Sequence, residues 1–471
     1  MKLSKSQIIY CFLLLIVTFT VMPYFFGLFL KISPFLLIPF LFFISKKKKK
    51  TNLQSESIFK KRIRKFKSIK RGYYSLIIII ILYALSLLTP LWMNNKALMI
   101  CYANKTWDEG ESFIDQNQNG KWDDFEDFTD EHNYYFPALW DFLDFIPGIN
   151  YPVYEAKSFN QKTTRIEVDF RLLNKTLTEQ ESDNYVIMPF YQYHPHEDLK
   201  DELDEQYTDS NQNGKWDEGE IFVDQNQNGK WDEINPPTLP DGLSGRHIIG
   251  TDNTGRDVFS RLVDGYKISI TFAIIVTTLG YIIGISVGAF LGYFAGKWDL
   301  FGVRFMEVFS AVPFLFMMMI LASFIKPGVL TLALLSVFLK AWIGITYYIR
   351  GEFFREKAKD YVSAAVSMGQ SNSKIMFKHI LPNSLTPIIT FAPFSIIADI
   401  FTLVSLYFLG YGLRPPASSW GNLLQQASEN LDNWHMLIFP VIVLTLTIFM
   451  ITFISEAIRE AFDPRVYSRL R

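Results

Sequence analysis

Six apolar runs of about twenty residues each dominate this chain: 73–92, 268–294, 305–325, 329–349, 388–409 and 436–454. A helix of that length spans the ~30 Å hydrocarbon core of a bilayer. By length alone, 471 residues would suit two to four soluble domains. The clustering of the 49% apolar residues into such runs predicts an all-α polytopic membrane protein with a core of six helices instead. Upstream, 8–30 and 34–44 predict an extra N-terminal hydrophobic hairpin around Lys31. The first run is too long for a signal h-region and lacks a small-residue cleavage site, so it reads as an anchor. The second is short for a full crossing and suits a re-entrant segment.

A net charge of −1 hides strong segregation. Lys and Arg gather at 46–50 and 60–71, then at Arg350, Arg355, Lys357, Lys359, Lys374 and Lys378, and again at Arg459, Arg465 and Arg469. Positive charge marks cytoplasmic sides, which predicts both termini inside. Phe59, Ile63, Phe66 and Ile69 recur at helical spacing with basic residues between them, the pattern of an amphipathic helix lying at the membrane surface. Within the second core run, Gly280, Gly284, Gly288 and Gly292 fall four apart, which lets another helix backbone approach closely. Asp399 stands near the middle of the fifth run. A carboxylate there costs roughly 2.5–3.5 kcal/mol on insertion scales unless it is paired, protonated or wetted. Two readings stay open: Asp399 lines a translocation path, or it is neutralised by a proton or a neighbouring helix.

About 175 residues separate the first two core runs, on the predicted external side. Within them one pattern recurs three times: Asp115, Asn117, Asn119, Lys121, Asp123 and Glu126; Asp209, Asn211, Asn213, Lys215, Asp217 and Glu220; Asp224, Asn226, Asn228, Lys230 and Asp232. Side-chain oxygens at positions 1, 3 and 5, a glycine at 6, a backbone carbonyl at 7, a ligand or water at 9 and a glutamate at 12 are the calcium-loop layout. The third copy carries Asn235 at its twelfth position and should bind more weakly. Asn at positions 3 and 5 lowers the ligand charge, and the spacing leaves no room for complete helix–loop–helix units. The expected role of calcium is to rigidify the loop; Asp/Asn/Gly-rich turns without metal are the alternative. Between the repeats, 164–172 alternates apolar and polar residues, a strand signal, and the aromatic stretch 185–193 could pair with it in a small α+β cap. The two cysteines, Cys11 and Cys101, make no disulfide framework. His194 and His196 could hold a metal but have no third ligand nearby.

Four motifs in register carry a resemblance. Asp360 to Gly369, with the Ala364-Ala365 pair, is followed by Ile380-Leu381-Pro382; this is a small-residue helix turn, a glycine, then a helix ending at Leu-Pro. Gly250-Thr251-Asp252-Asn253-Thr254-Gly255-Arg256-Asp257-Val258 precedes the second core run. Phe408 to Leu413 leads into Ser418-Ser419-Trp420-Gly421-Asn422, and Ile458 to Arg465 comes near the end. Together they resemble the second permease subunit of dipeptide and oligopeptide ABC importers. Lys297-Trp298-Asp299-Leu300 and the long external loop resemble the oligopeptide permeases that admit microcin C. The resemblance implies a type I ABC importer permease in the bacterial cytoplasmic membrane. It further implies that the segment around 350–385, with Asp360, Ala364, Ala365, Gly369, Ile380, Leu381 and Pro382, docks into a separate ATPase. A second homologous permease, two ATPase subunits and an extracytoplasmic peptide-binding protein are the implied partners. Many dipeptide-type relatives have a Glu one turn beyond Asp399, where this chain has Leu403.

The expected organisation is 1–50 hairpin, 51–93 amphipathic helix and first core helix, 94–250 insertion, and 251–471 permease domain. No Gly-x4-Gly-Lys-Ser/Thr phosphate loop is present, so ATP would act only through partner subunits. No Ser/His/Asp set or His-Glu-x-x-His helix suggests an enzyme. A membrane-anchored calcium-binding surface or sensor protein is the competing class. A secondary transporter comes third, for want of inverted repeats and paired midplane charges.

Overall fold

The computed structural model describes residues 58–103, 133–143, 152–159, 161, 167–179, 184–197, 237–242, 247–325, 328–414 and 416–463. The N-terminal hairpin, all three calcium-type repeats, and Pro464 and Arg465 of the last motif lie outside the described residues. The chain divides into two compact units. One holds Ala84–His194; the other holds the described residues up to Tyr83 and those from Pro195 onward.

In the first unit, β1 (Met99–Tyr102) lies between β2 (Asn133–Tyr135) and β3 (Tyr185–Ile187), antiparallel to both. Ile100 sits opposite Tyr135 on one side and Val186 on the other. In the described part of the strand expected at 164–172, Glu167 bridges Glu155, but the chain turns helical from Phe170, as Phe170–Glu179. Asp169 decides the matter, because its side chain accepts from the backbone N–H of Arg171 and Leu172 and so starts a helix. Phe170, Leu173 and Leu177 then bury at helical spacing and override the alternating pattern. Tyr185–Ile187 of the aromatic stretch pairs with β1. Burial alone would raise the carboxyl of Asp141, but Lys96, 2.6 Å away, overrides this and holds it below the ordinary carboxylate range. The fold is thus helical with a small sheet, not purely α.

The second unit is helical. α1 (Ile58–Ser68) and α2 (Lys70–Leu87) come first, then α3 (Val258–Phe294). α4 (Gly296–Ala311) and α5 (Phe314–Phe324) follow, then α6 (Val329–Lys357) and α7 (Asp360–Ser367). α8 (Leu381–Phe408), α9 (Trp420–Glu429) and α10 (Trp434–Phe462) complete it. Among the described residues five helices are long and apolar enough to cross a membrane, or six if α4 and α5 form one span.

The third expected span, 305–325, is not a single helix. α4 and α5 meet at a 75° bend. Pro313 has no N–H to continue the ladder and forces Val312 into extended backbone. α6 runs past its predicted end and contains a π-helical turn at Val337–Ala341. α3 begins ten residues before its apolar run because the Asp257 side chain caps it, accepting from Ser260 N–H at 2.7 Å.

The glycine series works as its spacing predicts. A Cβ on Gly280, Gly284, Gly288 or Gly292 would collide in turn with Ala341, Ile345, Ile349 and Phe353 of α6 or the carbonyls beside them. Thr346 Oγ1 reaches the carbonyl of Gly284 across this seam at 3.3 Å. The amphipathic segment is indeed helical. It is tied to the last helix by Lys65–Glu460 at 2.8 Å and by Arg62 stacked over the Phe462 ring.

Candidate functional site

The segment expected to meet an ATPase begins where α6 ends. Glu356 is buried and accepts from Lys359 Nζ at 2.6 Å and Tyr361 Oη at 2.8 Å, which fixes the turn into α7. Burial pushes the Tyr361 phenol up, and the neighbouring Glu356 adds to the shift. The segment divides by exposure. Ala365 and Ile380 sink into a core with Ile345, Ile349, Phe353 and Val362. Asp360, Ala364, Gly369 and Pro382 face outward, and Leu381 is half-buried. Gly369 has φ +68°, the left-handed backbone that glycine adopts without steric cost. The Leu-Pro pair does not end a helix, contrary to expectation: it opens α8 directly after a π-helical stretch, Ile375–Ile380. Proline leaves a gap in the hydrogen-bond ladder of this continuous helical run, and the π-helical turn directly before it is where the ladder changes spacing. Sequence reasoning missed three exposed apolar side chains beside this segment: Val366, Met368 and Phe377.

At the other end of α3, two of the motifs meet. Asp252 Oδ1 accepts from the N–H of Thr254 and of Arg256 and from Thr254 Oγ1, closing the turn that Gly250 and Gly255 enter with positive φ. Its other oxygen faces Arg261 Nη1 at 3.3 Å, in ionic contact but not aligned for a hydrogen bond. Arg261 Nη2 donates to Asn422, and Trp420 Nε1 donates to the Leu262 carbonyl at 3.0 Å. His435 of α10 contacts the Thr251 carbonyl at 2.9 Å. Asp252, Arg261, Trp420 and His435 are buried, so the cluster is a structural joint between helix ends. Asp299, in the Lys-Trp-Asp-Leu stretch, forms a bidentate ion pair with Arg350 that binds α4 to α6.

Between these ends, Thr277 of α3 donates to Asp399 Oδ2 of α8 at 2.8 Å. Both line a cavity of about 430 Å³ that also takes in Lys340, Tyr281, Ser395 and Phe314. Asp399 is thus bonded to a neighbouring helix and also faces a cavity. Among the described residues no group of three or more His, Cys, Asp or Glu gathers to hold a metal. His196 instead contacts Asp264, which is also paired with Lys267.

Residues 267–468 match the family model described as binding-protein-dependent transport system inner membrane component. The oligopeptide transport system permease protein OppC of Haemophilus influenzae is 35% identical over 225 residues, covering 47% of this chain and 72% of that protein. The chain belongs to this family of inner-membrane transport components.

The peptidoglycan transport system permease protein YejE of Agrobacterium fabrum is 38% identical over 217 residues, which is 46% of this chain and 57% of that relative. The match therefore spans little more than half of that relative's length. Among solved structures, an inward-facing conformation of the MetNI methionine ABC transporter aligns at 16% identity and a TM-score of 0.36, over 43% of this chain and 97% of that one. In this transport component the family match takes in both the cavity and α7, while the turn at 250–258 lies ahead of it. Lys340 was passed over in the sequence because a lone lysine inside an apolar run has no pattern that tells lipid from cavity.

Proposed function

We propose that the chain is the permease subunit of an ATP-driven importer that moves peptides or peptide-like compounds across the cytoplasmic membrane. The 35% identity to an oligopeptide permease over most of that protein's length carries the reading. Its partners would be a second permease, two ATPase subunits and an extracytoplasmic binding protein, with both termini of this chain in the cytoplasm. The segment from Asp360 to Pro382 would meet an ATPase. Val366, Met368 and Phe377 give it the exposed apolar surface that such an interface needs. Asp399 would line the path. The oxygen-rich repeats suit calcium as a stiffener of the external segment, with no part in transport itself.

The test is reconstitution of the chain with its gene-neighbour subunits in liposomes. Binding protein loaded with peptide should raise ATP hydrolysis and drive peptide uptake. Hydrolysis indifferent to the loaded binding protein, with no uptake of any peptide, would overturn the assignment.

A further inference from the structure

We infer that the mid-membrane cavity reads a zwitterion, with Asp399 receiving the ammonium end of a short peptide and Lys340 its carboxylate. The inference rests on the peptide-import reading and says how that substrate is recognised. Both residues stand in the interior of apolar helices, where a charge costs roughly 2.5–3.5 kcal/mol on insertion scales. They line one cavity of about 430 Å³, within the range of roughly 300–1,000 Å³ usual for small-molecule sites. One is acidic and the other basic, yet among the described residues they form no ion pair with each other or with a third group.

The surrounding hydroxyls behave differently. Tyr281 Oη and Ser395 Oγ bond to each other at 3.0 Å. Asp399 has one oxygen engaged by Thr277 and no second partner among the described residues. Lys340 Nζ stands 5.4 Å from the centre of the Phe314 ring, which offsets part of its desolvation. Two backbone irregularities converge on this lysine. It lies on the π-helical turn Val337–Ala341, and Phe314 opens α5 just after the 75° bend. Turns of this kind re-aim side chains and concentrate at functional sites. A simple cation would be repelled by Lys340 and a simple anion by Asp399. A ligand bearing both charges suits the pair.

The experiment uses the complete reconstituted transporter and three probes: trialanine, N-acetyl-trialanine and trialanine amide. Uptake is compared at concentrations that saturate the binding protein equally, as measured separately. Wild type should import each blocked peptide about tenfold or more slowly than trialanine, as expected of a site whose polar group is left unmatched. Asp399→Asn should erase the preference against the acetylated peptide and keep that against the amide. Lys340→Gln should do the converse. Asp399→Glu and Lys340→Arg keep the charges and should keep both preferences. Equal import of all three peptides by wild type overturns the inference whatever the variants do. Unaltered preferences in both neutral variants overturn it as well. A complex that hydrolyses ATP but imports none of the three instead removes the peptide reading beneath it.

Discussion

At Gly284 the absence of a side chain sets how near α3 and α6 can lie. A Cβ there would fall 1.7 Å from Ile345 Cγ2 and 2.7 Å from the Trp342 carbonyl, and backbone cannot give way as a flexible side chain can. Gly351, on α6, has open space around the same construction. Gly284→Ala should therefore cost about 1–3 kcal/mol of stability, the usual range for overpacking, whereas Gly351→Ala should cost far less. Thermal unfolding of the detergent-purified permease compares the two. Equal shifts would mean that the seam is not close-packed. The four-residue glycine spacing was legible from sequence because it needs only helical geometry. The partner residues on α6 were not, since nothing local says which helix lies opposite.

Among the elements, α7 carries the sharpest expectation. A Cβ on Gly369 meets no atom within 4 Å, so the main penalty of a substitution is in the backbone, about 1–2 kcal/mol for an L-residue held left-handed. Ala364 is exposed and has room for a longer side chain. Gly369→Val and Ala364→Arg should thus insert normally and lose stable association with ATPase subunits. Co-purification and substrate-stimulated hydrolysis are the readouts, and full retention of both in each variant would remove α7 from the coupling role. The helices themselves were readable from apolar run length, and the turn at Gly369 from its glycine. The bend at Pro313 and the π turn at Val337–Ala341 were not: hydropathy averages over a helix and is blind to how its hydrogen bonds are spaced. The helix that begins at Phe170, inside the strand expected at 164–172, was missed for a related reason. Alternation and helical periodicity share Phe170, and only the capping bonds of Asp169 decide between them.

For the whole molecule, the three repeats predict a response to calcium. Millimolar calcium should raise the unfolding temperature of the intact chain, and chelator should reverse the shift. Occupancy at about ten times the dissociation constant contributes about 1.4 kcal/mol per loop. Asp115→Ala with Asp209→Ala should remove most of this, and Asp224→Ala less, because its loop lacks the closing glutamate. No shift in wild type would leave the repeats as plain turns. The interlock of α3 with α6 also has a mechanical side. From Ala341 to Phe353, α6 is clamped against glycines along about 18 Å of its axis. Phe353 shares a core with Ala365 of α7, and Lys340 sits one residue beyond the other end of the clamp, on the π turn. A rod held along its length transmits thrust without buckling. Under the proposed coupling role of α7, displacement applied there would travel along the clamped stretch to its Lys340 end, where on the proposed reading of the cavity the carboxylate of a peptide would be held.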